Sequence, residues 1–131
     1  MLIGEYRNQL VLELSVAIPS YRELTSEINQ QLAPFRQESP EVMKAFGELA
    51  RAATKTNVLD EKTKELIAVA IAVATRCDGC IGFHVKALVR LGASKEELNE
   101  TLNMAVYLGG GPSLMYAANA LAAFAEFSAQ S

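Results

Sequence analysis

The chain has 131 residues, half of them hydrophobic, which suits one domain able to bury its own core. With no Trp and an apolar fraction drawn largely from Ala, Leu and Val, the composition favours closely packed helices, and a mean hydropathy of +0.14 predicts surplus apolar surface that goes into a homo-oligomer. The net charge of −3 offers no basic face, so no nucleic-acid partner is expected.

Residues 1–19 carry alternating apolar positions at Leu10, Leu12, Leu14, Val16 and Ile18, closed by Pro19. The alternation could mark a short strand, but Leu10, Leu14 and Ala17 also fit a helix, and the segment reads as a helical or irregular arm against the body or a neighbouring subunit. Glu13 interrupts the apolar patch and Glu5 offsets Arg7, so the start does not read as a secretory leader. Ser20 looks like an N-cap, with Glu23 completing a capping box, and the spacing predicts a helix from Tyr21 to Leu32, ending before Pro34. Ser39 and Pro40 open a second helix whose Val42, Ala45, Phe46, Leu49 and Ala53 share one stripe. The expected division is an N-terminal arm and helix over 1–38 and a helical domain over 39–131.

Asp60 caps the third helix. From Leu66 to Ala74 that helix is apolar on every side, which predicts burial in a core or against another subunit. The run is too short to span a bilayer, so no membrane partner is expected and the chain reads as cytoplasmic. In that reducing compartment a C-x-x-C pair is catalytic or metal-binding rather than a permanent staple. A fourth helix follows to Leu91, with Gly92 as a left-handed cap. Ser94 and Glu97 form a second capping box and open a fifth helix to about Leu108. Gly109 to Gly111 stop it, and Pro112 starts an Ala-rich last helix. The fold class is therefore all-α, a bundle of about six helices with short connections.

Both cysteines, Cys77 and Cys80, and the single histidine, His84, fall within eight positions. Residues three and four apart share a helix face, so the spacing stacks two thiols and an imidazole in one row. Two thiols three apart at a helix start can close a disulfide, and the helix N-terminus favours the thiolate. His84, one turn past Cys80, is placed to exchange its proton. If the third and fourth helices form an antiparallel hairpin, Glu65 lies roughly 16 Å and His84 roughly 10 Å from the turn at about 1.5 Å per residue, a mismatch two side chains can bridge. Glu65 could then orient His84 as the third member of a relay, which the spacing allows but does not by itself establish. Cys77, nearer the helix end, is expected to be the more exposed thiol, and which cysteine attacks first stays open. Plainer readings exist: a surface carboxylate, a structural histidine, buried cysteines acting as small hydrophobes. Zinc is the functional rival, but a structural zinc site takes four protein ligands.

The pattern Glu65-x11-Cys77-x2-Cys80-x3-His84, together with L-D-E-K-T-K-E-L before it and the Y-L-G-G-G-P block after it, resembles the alkylhydroperoxidase D-like (AhpD-like) branch of the carboxymuconolactone decarboxylase superfamily over Val42 to Phe124. The resemblance implies an all-helical homo-oligomer, a trimer or a hexamer, with the redox motif at the start of a central helix. It also implies thiol peroxidase or disulfide reductase activity in antioxidant defence. Cys77 and Cys80 map onto the redox pair, and Glu65 and His84 onto the proton relay. No bound cofactor is expected. A lipoyl group or a redox protein is the implied dithiol reductant, and a peroxiredoxin or lipoyl protein the implied partner. Some members carry a histidine between the cysteines, where this chain has Asp78 and Gly79, and the negative charge of Asp78 is expected to oppose thiolate formation. Two other classes stand beside this one: a lyase like the decarboxylase branch, acting on a carboxylated lactone, and a non-enzymatic redox-sensing oligomer.

Overall fold

A computed structural model describes residues 20–129, so the arm expected over 1–19 lies outside the described residues. Six helices and no strand make up the described residues: α1 (Tyr21–Glu38), α2 (Pro40–Thr54), α3 (Glu61–Ala74), α4 (Asp78–Arg90), α5 (Lys95–Gly109) and α6 (Gly111–Ser128). The expected all-α architecture is what forms. Local chemistry explains most of the boundaries. Asp60 accepts the Thr63 amide at 2.8 Å and starts α3. Ser94 and Glu97 make both bonds of their capping box at the head of α5. Gly92 and Gly110, at φ +75° and +72°, end α4 and α5 in the conformation that costs a side chain most.

The helix pairs that pack most extensively are α3 with α4 and α4 with α6. Helix α4 touches α1, α3 and α6. Val69 and Val73 of α3, Ile81, Val85 and Leu88 of α4 and Leu98 of α5 are all fully buried. Each such side chain contributes about 1.5–3 kcal/mol relative to exposure. Helix α2 stands apart. It buries no residue, and its stripe leaves Val42, Phe46 and Leu49 63 %, 64 % and 63 % exposed.

Helix α1 departs from expectation twice. It runs on through Pro34 to Glu38 rather than stopping at Leu32. The carbonyl that loses its amide partner is that of Gln30, and the stretch is exposed, so water replaces the missing bond. At the other end Ser20 accepts the Glu23 amide at 3.3 Å, but the first amides are capped from far away. Glu126 of α6 accepts from the amides of Tyr21 and Arg22, each at 3.0 Å, and from the Ser20 hydroxyl. Gly82 of α4 makes this docking close. A Cβ there would lie 2.7 Å from Thr25 Cγ2 and 3.4 Å from Tyr21 Cδ1.

Burial pushes the Glu126 carboxyl up, but the hydrogen bonds from Ser20, Arg22 and Tyr21 outweigh it and leave the carboxyl below the ordinary glutamate range. The folded chain therefore holds Glu126 ionised more firmly than the unfolded chain does. That stability is present above the unfolded value of about 4.3 and is lost as pH falls through the lower folded value. Denaturation midpoints followed from pH 7 to pH 3 should fall more steeply for the natural chain than for Glu126→Gln. Parallel curves would remove Glu126 from the docking of α1.

Candidate redox site

The C-x-x-C pair sits where two helix caps coincide. Helix α3 ends with the Arg76 amide bonded to the Val73 carbonyl at 3.2 Å and the Cys77 amide bonded to the Ala72 carbonyl at 3.0 Å. Arg76 takes φ +59°, the left-handed residue that this type of ending requires. Cys77 is thus tied to the end of α3 and is at the same time the N-cap of α4. Its sulfur accepts the Cys80 amide at 3.2 Å. The two cysteines are joined as a disulfide, with Cα atoms 5.2 Å apart.

The expected order of exposure is reversed. Cys80 is exposed, whereas Cys77 is half-buried. Being nearer the helix end does not free Cys77, because both neighbouring caps hold its backbone. Cys80 and His84 share a surface pocket of about 240 Å³ with Ala68, Ile71, Ala72 and Thr75. The apolar wall comes from α3, so a small reactant there would meet the outer sulfur, an imidazole and few competing polar groups.

Glu65 and His84 meet. Oε2 of Glu65 lies 2.6 Å from Nδ1 of His84, across the α3–α4 hairpin. The mismatch estimated from helix rise is taken up by the two side chains. Glu65 is 5 % exposed, buried on the inner face of α3, so it is not a plain surface charge. With the carboxylate accepting, Nδ1 carries the proton and Nε2 presents its lone pair. The tautomer that a general base needs is therefore set by a buried partner.

Asp78 is engaged as well. Its Oδ1 accepts from the Tyr21 phenol at 2.7 Å and from the Asn119 side-chain amide at 3.3 Å. Tyr21 is fully buried. Burial, then the bond to Asp78, then the charges of Asp78, Tyr116 and Glu126 hold its phenol well above the ordinary tyrosine range. Sequence reasoning missed both contacts. They lie 57 and 41 positions from Asp78, and no local pattern announces either. Among the described residues no group of three or more His, Cys, Asp and Glu side chains is arranged to hold a metal ion. No helix among them is long and apolar enough to cross a membrane.

The sequence profile of the carboxymuconolactone decarboxylase family matches residues 40–123. A crystal structure of a member of that family from Legionella pneumophila is 64 % identical, covers 82 % of this chain and 96 % of its own, and superposes with a TM-score of 0.81. A Thermotoga maritima family protein, with a suggested part in an antioxidative response, is 34 % identical over 67 % of this chain and 91 % of its own, with a TM-score of 0.63. An uncharacterized protein of Cupriavidus necator is 44 % identical over 99 residues, 76 % of this chain and 88 % of the relative.

Proposed function

The chain belongs to the carboxymuconolactone decarboxylase family, and from that premise we propose that it is a thiol-dependent oxidoreductase, a peroxidase or disulfide reductase of antioxidant defence. The observation that carries the reading is the pairing of an exposed Cys80 with His84 in one pocket while buried Glu65 fixes the imidazole from behind. The Thermotoga relative's suggested antioxidative role agrees with it.

In the proposed cycle His84 takes the Cys80 proton at Nε2, and the imidazolium is stabilised by the Glu65 carboxylate. The thiolate attacks a peroxide oxygen, the O–O bond breaks, and the leaving alkoxide takes the proton from His84. Cys80 is now a sulfenic acid. Cys77 attacks it, closing the disulfide and releasing water, and in the closed state its sulfur accepts the Cys80 amide. With a disulfide as oxidant, the same attack gives a mixed disulfide that Cys77 resolves. An external dithiol, a lipoyl group or a redox protein, then exchanges with Cys77–Cys80 and leaves as its own disulfide. The lyase alternative has no use for a dithiol, so the C-x-x-C argues against it.

We further propose that the protein works as a cytoplasmic homo-oligomer. Apolar side chains support this: Ile71, Met104 and Leu108 are 58 %, 57 % and 80 % exposed and line one groove between α3 and α5. The reduced chain should lose both thiols at once on one equivalent of peroxide, and a dithiol should restore them. Loss of a single thiol, or of none, sinks the cycle.

A further inference from the structure

We infer that Tyr21 is a positioning residue of the C-x-x-C site: its phenol, with the Asn119 amide, holds the Asp78 carboxylate in the turn and offsets its charge, so that a thiolate can form beside it. The inference rests on the dithiol reading above and extends it to a helix outside the matched family region, since Tyr21 precedes residue 40.

Asp78 follows Cys77 directly and stands two residues before Cys80. A carboxylate so placed opposes a second negative charge on either sulfur. It nevertheless occupies the first position of α4, where a carboxylate suits the helix dipole. The chain resolves this conflict with two donors on the same oxygen, Tyr21 from α1 and Asn119 from α6. Hydrogen bonds to a charged acceptor are the stronger kind. Neither donor has to be recruited during the reaction. Tyr21 is fully buried, its own amide is fixed by Glu126, and Gly82 leaves room for it against α4. The direction of its own titration keeps it a donor wherever the thiols ionise. Tyr21 thus couples the docking of α1 to the electrostatics of the turn.

The titratable and charged groups around the turn are Asp78 and His84 on α4, Glu65 on α3, Tyr21 on α1, Arg76 in the turn, and Tyr116 and Glu126 of α6, which face Tyr21. Only the Tyr21–Asn119–Asp78 group is altered in the test. The fully reduced chain is alkylated with iodoacetamide across pH, and the Cys77–Cys80 couple is equilibrated with dithiothreitol buffers. Tyr21→Phe keeps the ring and removes the donor. It should slow alkylation at pH 7 by roughly three- to tenfold, raise the pH midpoint and make the couple more reducing, because the dithiolate side loses stabilisation. Asp78→Asn should do the reverse. On the Asp78→Asn background, Tyr21→Phe should change neither readout. Asn119→Leu should act in the same direction as Tyr21→Phe but more weakly, and it carries the test if Tyr21→Phe fails to fold.

A lowered melting temperature with an unmoved alkylation profile and potential makes Tyr21 merely structural and overturns the inference. So does an equal effect of Tyr21→Phe with and without the Asp78 charge. Neither readout uses peroxide turnover. A chain that turns over no peroxide but shows the predicted shifts keeps this inference and loses the peroxidase reading; turnover with unmoved shifts does the opposite.

Discussion

Cys80→Ser is expected to abolish the proposed peroxide turnover, by about a thousandfold or more, because the attacking atom itself is removed. The fold should survive. Cys80 is exposed, and the bridge it makes closes a loop of only a few residues, which constrains the unfolded chain little. Far-UV circular dichroism and the denaturation midpoint should therefore stay near those of the reduced natural chain. Cys77→Ser separates the two roles. It leaves the exposed sulfur, the pocket and the imidazole in place, so one equivalent of peroxide should still be reduced at a normal rate. The reaction should then stop at a Cys80 sulfenic acid, to be trapped by dimedone and read by mass spectrometry. Dimedone capture at Cys77 in the Cys80→Ser variant, with turnover retained, would transfer the attacking role to Cys77. Half-burial and the double cap of Cys77 argue against that outcome.

Leu108→Asp should break the proposed oligomer. Leu108 is 80 % exposed in the single chain and lies near the end of α5, so a carboxylate there costs the isolated fold little. At an apolar subunit contact the same carboxylate loses its water without gaining a partner, a cost of several kcal/mol per copy. The expected result by light scattering is a natural chain several times the monomer mass of 14.2 kDa and a variant at or near that mass, with helicity unchanged. A natural chain that already runs at 14.2 kDa at micromolar concentration removes the homo-oligomer. The same reasoning extends to Phe46, which is 64 % exposed on α2.

Much of the fold was legible because its signals lie within one helical turn. Asp60, Ser94 with Glu97, and Gly92 act on amides or carbonyls a few residues away, and each does in the structure what its spacing predicted. The helical row of Cys77, Cys80 and His84 is likewise a matter of three and four residues. Helix rise and one turn put the Glu65–His84 contact within reach, and the packing of α3 against α4 makes it. The continuation of α1 past Pro34 did not follow, because a local breaker is tolerated wherever the freed carbonyl meets water.

What the sequence by itself determined, then, is the six helices of the described residues, the close pairing of Cys77 with Cys80 and the placing of His84 one turn beyond: properties of chain neighbours. The tertiary structure alone decided which sulfur is exposed, which carboxylate caps α1 and what becomes of the Asp78 charge. The physical reason is that these depend on how α1 and α6 dock on α4. That docking is set by close approach at Gly82 and by Glu126 accepting amides 104 and 105 positions away, and no local spacing encodes it.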